Sequence, residues 1–207
     1  MMRRSDEIPE GLTGLLFGKY SEYITRLQPL LITCVFLFTF SLVMGYFLGP
    51  DISPTLLDEL LGEFPDPSNM GVFDLFGFIL INNLSKSLIF MLAGFILGLP
   101  PLIFVVLNGF FIGWVAYSFG AEYGLGFVML ALIPHGIVEI PAILLSMAVG
   151  MGLGFQLINK LRGRGSIMSD IRNAIGLFIW RIAPMIILAA ILEVTITPLL
   201  ISTLNLS

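Results

Sequence analysis

Long apolar stretches alternate with short polar stretches along this chain. A membrane-spanning helix needs about 20 consecutive, mostly apolar residues, and five segments meet this requirement. They are residues 30–48, 75–99, 102–119, 126–157 and 174–204. The pattern predicts an all-α fold, a polytopic membrane helical bundle of about five spans. The last two segments are long enough to tilt, kink or break, and both contain proline.

Two shorter amphipathic segments flank the first predicted span. Apolar residues recur at helical spacing between Leu12 and Leu27, which predicts a cytoplasmic interfacial helix within residues 1–29, with Pro29 at the turn into the membrane. The segment SPTLLDELLGEF begins with serine and proline, which are typical of a helix start, and predicts a short outer amphipathic helix. Residues 30–207 then form the transmembrane domain. Packing against the bundle and binding of a partner are both open as roles for these helices.

Composition places the chain in the membrane class. The chain is 57% hydrophobic and 12% charged, whereas soluble domains are about a quarter charged. Its mean hydropathy is +0.99. The one cysteine, Cys34, excludes a disulfide within the chain and lies in an apolar run.

Basic and acidic residues are segregated between the loops. Of the 10 lysines and arginines, four precede the first span, four lie in the loop 158–173, and only Lys86 and Arg181 fall inside spans. The loop 49–74 carries acidic residues and no basic residue. The positive-inside rule therefore predicts a multi-pass protein of the cell membrane with a cytoplasmic N-terminus. The acidic loop 49–74 and the C-terminus are then outside, and the basic loop 158–173 is inside.

Polar residues inside the spans are expected to face the bundle interior or a hydrated cavity, because a charged residue at mid-helix costs about 2.5–3.5 kcal/mol on insertion scales. We expect Lys86 to pair with Glu139, and Arg181 to pair with Glu139 or Glu193. Buried pairs contribute little net stability, so a structural core and a transport role are both open. Eight residues form this set, called the polar cluster below: Asn82, Asn83, Lys86, Asn108, His135, Glu139, Arg181 and Glu193.

The only histidine, His135, precedes Glu139 by one helical turn, so the two share a helix face. One interpretation is a metal site, since imidazole and carboxylate both bind zinc. Two ligands are too few, and such a site needs Glu193, an asparagine or a second subunit. A proton relay and a structural hydrogen bond are the alternatives. The flanking residues Pro134 and Pro141 predict local disruption of the helix.

Three glycine pairs at four-residue spacing fit the close-packing motif of membrane helices. Packing within the bundle is the first interpretation, and a homodimer contact is the alternative. The basic loop 158–173 is typical of a topogenic signal that contacts phospholipid, and no nucleic-acid role is indicated. The pairs are Gly94 and Gly98, Gly109 and Gly113, and Gly150 and Gly154.

These motifs together resemble the stage II sporulation protein M family of integral membrane proteins. The resemblance covers about residues 15–205, and no single element of it would be specific alone. It implies a membrane anchor or scaffold that acts with peptidoglycan-degrading partners during septal thinning and engulfment in spore-forming bacteria. Relatives also occur in bacteria and archaea that form no spores. The matching elements are Asn82-Asn83, Gly94, Gly98, Asn108-Gly109, Gly113, Pro134-His135-Gly136 and Glu139.

The resemblance and the residues lead to one primary functional prediction and two alternatives. The primary prediction is a non-enzymatic membrane scaffold whose partners are the lipid bilayer and other membrane or cell-envelope proteins. The first alternative is a small-solute or ion transporter that uses the polar cluster. The second is a metal-dependent intramembrane enzyme, for which the sequence offers no evident nucleophile. No cofactor is expected, and a metal ion bound by His135 and Glu139 is kept only as an alternative.

Overall fold

A computed structural model of the protein describes residues 20–52, 55, 56, 59, 69–164 and 166–203. Over these residues the chain is helical and contains no strand. A 3-10 turn at Gly49–Asp51 follows the first helix, and a π-helical segment at Phe178–Ile182 joins the last two. The α-helices are α1 (Ser21–Leu48), α2 (Val72–Ala93), α3 (Leu99–Tyr123), α4 (Leu125–Leu161), α5 (Met168–Leu177) and α6 (Ala183–Ser202).

The predicted all-α membrane bundle is confirmed. Among the described residues, five helices are long and apolar enough to cross a membrane. They are α1 with its 3-10 turn, α2, α3, α4, and the continuous run from α5 through the π-helical segment to α6. Many large apolar side chains on the outer faces of these helices are exposed, as expected for side chains that contact lipid.

The predicted turn at Pro29 is wrong, because α1 begins at Ser21 and continues through Pro29. The reason is tertiary packing: Tyr23 and Leu27 before the proline and Cys34 after it are all buried against the rest of the bundle. Neighbouring helices commonly hold proline inside membrane helices in this way. The rest of the predicted interfacial helix, residues 1–19, lies outside the described residues. So does most of the predicted outer amphipathic helix.

Helix α4 is the central element of the bundle. It contacts α1, α2, α3, α5 and α6, and nearly every residue from Ala142 to Gly154 is buried. A helix that is apolar on all sides is typically surrounded by other elements. The disruption expected at Pro134 and Pro141 does not interrupt α4, which is one helix over its whole length. Neither proline has an N–H, so two carbonyls one turn earlier receive no α-helical hydrogen bond.

Backbone contact between glycines joins α2 to α4. A Cβ added at Gly94 would collide with the carbonyl of Gly150, and one added at Gly154 would collide with the backbone of Gly98 and Gly94. Gly94 meets Gly150, and four residues further along both helices Gly98 meets Gly154. The two helices therefore run in the same direction. Gly98 also has a φ of +74°, which begins the turn into α3 without strain. Glycine is therefore required here for both close approach and conformation.

A second glycine contact joins α1 to α3. A Cβ at Gly109 would overlap the Ser41 hydroxyl, and one at Gly113 would overlap the Leu42 carbonyl. These two helices also run in the same direction. Gly45 of α1 meets the Phe110 carbonyl in the same way. All three glycine pairs singled out in the sequence thus lie at contacts between helices of one chain.

The directions of the helices define two ends of the bundle. Asp51, Asp74 and Glu122 lie at the end that we call the acidic end. Arg26 and Lys160 lie at the opposite end, the basic end, as do the neighbouring arginines of the loop after α4. The segregation of charge along the sequence is therefore also a segregation in space. Which end faces the cytoplasm stays a prediction from the positive-inside rule.

We predict that Gly94→Ala destabilises the protein by about 1–3 kcal/mol, the usual cost of overpacking a rigid contact. The added methyl group meets backbone atoms of Gly150, which cannot move away as a side chain could. Thermal and denaturant unfolding of the purified protein in detergent measure the effect. Gly77→Ala in the same helix is the matched control, because a Cβ at Gly77 meets nothing within 4 Å. Equal stability of the two variants would show that the glycine contact is not tight.

We also predict the orientation of the bundle. In intact cells, a membrane-impermeant thiol reagent should label Glu122→Cys and should leave Arg164→Cys unlabelled until the cells are permeabilised. Both positions are exposed, and the native Cys34 is only 1% exposed, so it adds little background. Labelling with the opposite pattern would reverse the topology.

Candidate functional site

A cavity of about 330 Å³ lies among α2, α3, α4 and α6. Helices α2, α3 and α4 each contribute several side chains to its wall, and α6 contributes Glu193. The apolar part of the wall is aromatic and aliphatic. The lining residues are Phe78, Ile79, Asn82, Asn83, Lys86, Phe104, Asn108, Phe111, Ile112, Leu132, His135, Glu139, Ile140, Ile143 and Glu193.

Seven of the eight residues of the polar cluster line this one cavity. The exception is Arg181, which belongs to the π-helical segment and is not among the lining residues. The expected pairing of Arg181 with Glu139 or Glu193 stays a prediction. At a rise of about 1.5 Å per residue, the seven polar residues of the cavity lie about 13–23 Å from the acidic end of their helices. The polar groups are therefore near the middle of the bundle.

The register of α2 and α4 sets two of these polar groups at the same level. Asn83 precedes Gly94 by the same number of residues as Glu139 precedes Gly150. Since Gly94 contacts Gly150 and the helices run in the same direction, Asn83 and Glu139 come to equal height on adjacent helices. A buried hydrogen bond from the Ser146 hydroxyl to the Ser87 carbonyl, 2.9 Å long, holds the same pair of helices together.

His135, Glu139 and Glu193 form the closest group in the cavity, which we call the triad. Each offers a nitrogen or carboxylate oxygen that lies within 4.8 Å of the ligand atoms of the other two. His135 and Glu139 share a face of α4, and Glu193 reaches them from α6. The His135 Nδ1 atom is buried and has no hydrogen-bond partner among the described residues. Such a buried, unpaired polar atom is costly in free energy.

Lys86 contributes the positive charge of the site. It interacts electrostatically with Glu139, which also interacts with Glu193. With these three side chains ionised and His135 neutral, the cavity carries a net charge of −1. An electrostatic site of this sign favours a cation over an anion.

The asparagines supply neutral donors and acceptors. The Asn82 amide nitrogen donates to the Asn83 side-chain oxygen at 3.1 Å, and Asn108 faces the cavity from α3. Amide groups of this kind can replace the hydration shell of a polar solute or orient a water molecule. The site therefore combines anionic, cationic and neutral polar groups within an apolar wall.

The apolar wall of the cavity is the part that the sequence reasoning missed. Phe78 lies one helical turn before Asn82, and Phe104 one turn before Asn108. Residues at this spacing share a helix face, so the positions of the asparagines were a usable signal for the aromatic wall. The ring centroids of Phe104 and Phe90 are 4.3 Å apart, a contact that fixes the α2 and α3 faces of the wall.

A polar contact at the basic end was also missed. Asp170 of α5 is buried and lies 3.8 Å from the Arg26 guanidinium, which in turn is 5.5 Å from the centre of the Tyr23 ring. These residues join the start of α1 to the start of α5. The signal in the sequence was a single aspartate within an otherwise basic loop.

The fold and the cavity define a polytopic α-helical membrane protein with a polar site inside its bundle. Residues 34–198 match the family described as Stage II sporulation protein M. The chain therefore belongs to the stage II sporulation protein M family of membrane proteins, as its sequence motifs had indicated. The matched range includes every residue that lines the cavity.

Two relatives come from Methanocaldococcus jannaschii. The chain is 38% identical to its uncharacterized protein MJ0706 over 121 residues, which are 56% of this chain and 52% of the relative. The match thus spans about half the length of that relative. The chain is 31% identical to the uncharacterized protein MJ0793 over 176 residues, which are 82% of this chain and 94% of the relative. No solved structure matches the chain.

Proposed function

We propose that this protein binds a small cation inside the membrane and transports it. The observation that carries the proposal is the cavity, into which four helices direct seven polar side chains at the middle of the bundle. Ionisable residues within membrane spans are costly, and they typically mark the pathways of ions and substrates. A purely structural core would be achieved at lower cost by apolar side chains of similar volume.

The charge of the cavity supports a cation as the bound species. Ligand atoms of Glu139 and Glu193 lie within 4.8 Å of each other, and Lys86 lines the same cavity. When all three side chains are ionised, one negative charge is uncompensated. A cation that enters the cavity offsets this charge. An anion would instead be repelled by two carboxylates, so it is not the favoured substrate class.

The arrangement of the helices supports transport rather than static storage. Secondary transporters commonly bind their substrates near the bilayer midplane, between helices that carry matching features. Here α2 and α4 lie side by side in one direction, with polar residues at equal height above matching glycine pairs. This parallel pair forms one side of the cavity. Movement of α3 and α6 relative to it would open the site.

The scaffold role implied by the family resemblance stays a prediction. The alternative function as a metal-dependent intramembrane enzyme also stays a prediction. The acidic segment expected to contact partners outside the membrane lies mostly outside the described residues. A scaffold does not need the carboxylate of Glu139, whereas a transporter does. Substitution of this residue therefore separates the two functions.

The test is flux in proteoliposomes across a panel of monovalent and divalent cations. We predict uptake of at least one cation above the level of protein-free liposomes. Glu139→Gln should reduce this uptake to that level, because it removes a negative charge from the cavity while preserving side-chain shape. Glu122→Gln is the matched control, since Glu122 is exposed at the acidic end and does not line the cavity.

Two results would contradict the proposal. One is the absence of flux for every cation in the panel. The other is equal flux through the Glu139→Gln and Glu122→Gln proteins. Both variants should first elute from size-exclusion chromatography like the parent protein, so that loss of flux is not loss of fold.

A further inference from the structure

We infer that the cation bound in the cavity is a divalent first-row transition metal, coordinated by the triad His135, Glu139 and Glu193. The inference rests on the proposed function, because it names the class of cation that the cavity takes up. It specifies the three ligands of the metal, a preference for zinc over magnesium, and a role for Lys86. A separate measurement tests each of the three.

The chemistry of the donors favours this class of metal. An imidazole nitrogen suits Zn²⁺, Fe²⁺, Ni²⁺ and Cu²⁺, whereas Mg²⁺ and Ca²⁺ prefer oxygen donors alone. One nitrogen and two carboxylate groups together match sites that bind zinc through three protein ligands and leave a fourth position open. Three asparagines line the same cavity, so an amide oxygen is a candidate for the fourth ligand.

The geometry of the triad is close to that of a metal site before the metal binds. The three ligand atoms lie within 4.8 Å of one another. If each separation were at that limit, a central ion would lie about 2.8 Å from each atom, compared with about 2.1 Å in zinc sites. An inward shift of about 0.7 Å per ligand closes the difference, and rotation of glutamate and histidine side chains is sufficient for this.

Two features of the triad are unfavourable without a metal. One ring nitrogen of His135 lies within 4.8 Å of an oxygen of each carboxyl group, and the Nδ1 atom of the same ring is buried with no hydrogen-bond partner among the described residues. The Glu139 and Glu193 carboxyl groups are also close together, and they repel each other when both are ionised. A divalent cation between the three side chains offsets this repulsion and accepts a lone pair from the imidazole.

Lys86 acts as the internal competitor of the metal. Lys86 and Glu139 line the same cavity, so the ammonium group stabilises the carboxylate when the site is empty and opposes a second cation when the site is filled. Removal of this positive charge should tighten metal binding. This effect has the opposite sign to that of ligand removal, so damage to the fold cannot imitate it.

The experiment measures zinc binding by the purified full chain in detergent micelles. The protein is first treated with a chelator, and equilibrium dialysis followed by elemental analysis gives the number of ions bound per chain. We expect one Zn²⁺ per chain, with Mn²⁺ bound more weakly and Mg²⁺ not bound at matched concentration. Equal binding of Mg²⁺ and Zn²⁺ would exclude the imidazole as a ligand and overturn the inference.

Three single substitutions test the ligand set, namely His135→Ala, Glu139→Gln and Glu193→Gln. Each should weaken zinc binding by more than the 10–100-fold that is typical when an outer-shell partner of a metal ligand is lost. Glu122→Gln is again the matched control and should bind zinc like the parent protein. If each of the three variants binds zinc as tightly as the parent protein, the ion binds elsewhere and the inference is overturned.

Lys86→Met provides a test in which zinc binding is expected to become tighter rather than weaker. The neutral side chain of similar length should raise the affinity for zinc by about tenfold or more, as expected for removal of one like charge at short range in a partly desolvated site. Unchanged or weaker binding by a folded Lys86→Met protein would contradict the competition with the metal.

The outcomes separate this inference from the proposed transport. Flux of a monovalent cation that depends on Glu139, together with no zinc binding, would overturn the metal site and leave transport standing. Zinc bound through the triad without any flux would support the metal site and contradict transport. Absence of both would identify the polar cluster as a structural core.

Discussion

The close contact between the backbones of α2 and α4 is the constraint on which the rest of this structure depends. Side-chain-free positions at Gly94 and Gly150 allow the two helices to touch, and Gly98 and Gly154 repeat the contact one turn further along. Lipid surrounds membrane helices with apolar groups, so association depends on close packing rather than on hydrophobic burial. This contact fixes the relative height of α2 and α4, and α4 in turn contacts every other helix of the bundle.

The polar cavity follows from this packing. Because α2 and α4 are held in register, their polar residues meet at one level, and Glu193 approaches them from α6. With Lys86, Glu139 and Glu193 ionised, the cavity has one more negative charge than positive charge, and this excess connects the fold to the proposed function. Ionised groups are costly inside a membrane, and an excess of negative charge favours a cation over an anion.

The five spans and the membership of the polar cluster were predictable from the sequence, because apolar length and the cost of buried charge are local properties. The closeness of Glu193 to His135 was harder to predict from the sequence. Helix α6 is apolar on nearly all sides, so its sequence does not reveal which face meets α4. The continuity of α1 through Pro29 was not predictable either, since it depends on neighbours that pack on both sides of the proline. Arg181 lies in the π-helical segment and is not among the residues that line the cavity, and the sequence pattern gave no sign of a π-helical segment there.

The most direct test of the account is a crystal structure of the protein grown with zinc, with an anomalous difference map measured at the zinc absorption edge. We expect one strong peak inside the bundle, within about 2.0–2.2 Å of ligand atoms from His135, Glu139 and Glu193. An empty cavity with the three side chains turned apart, and anomalous peaks only on the protein surface, would contradict it.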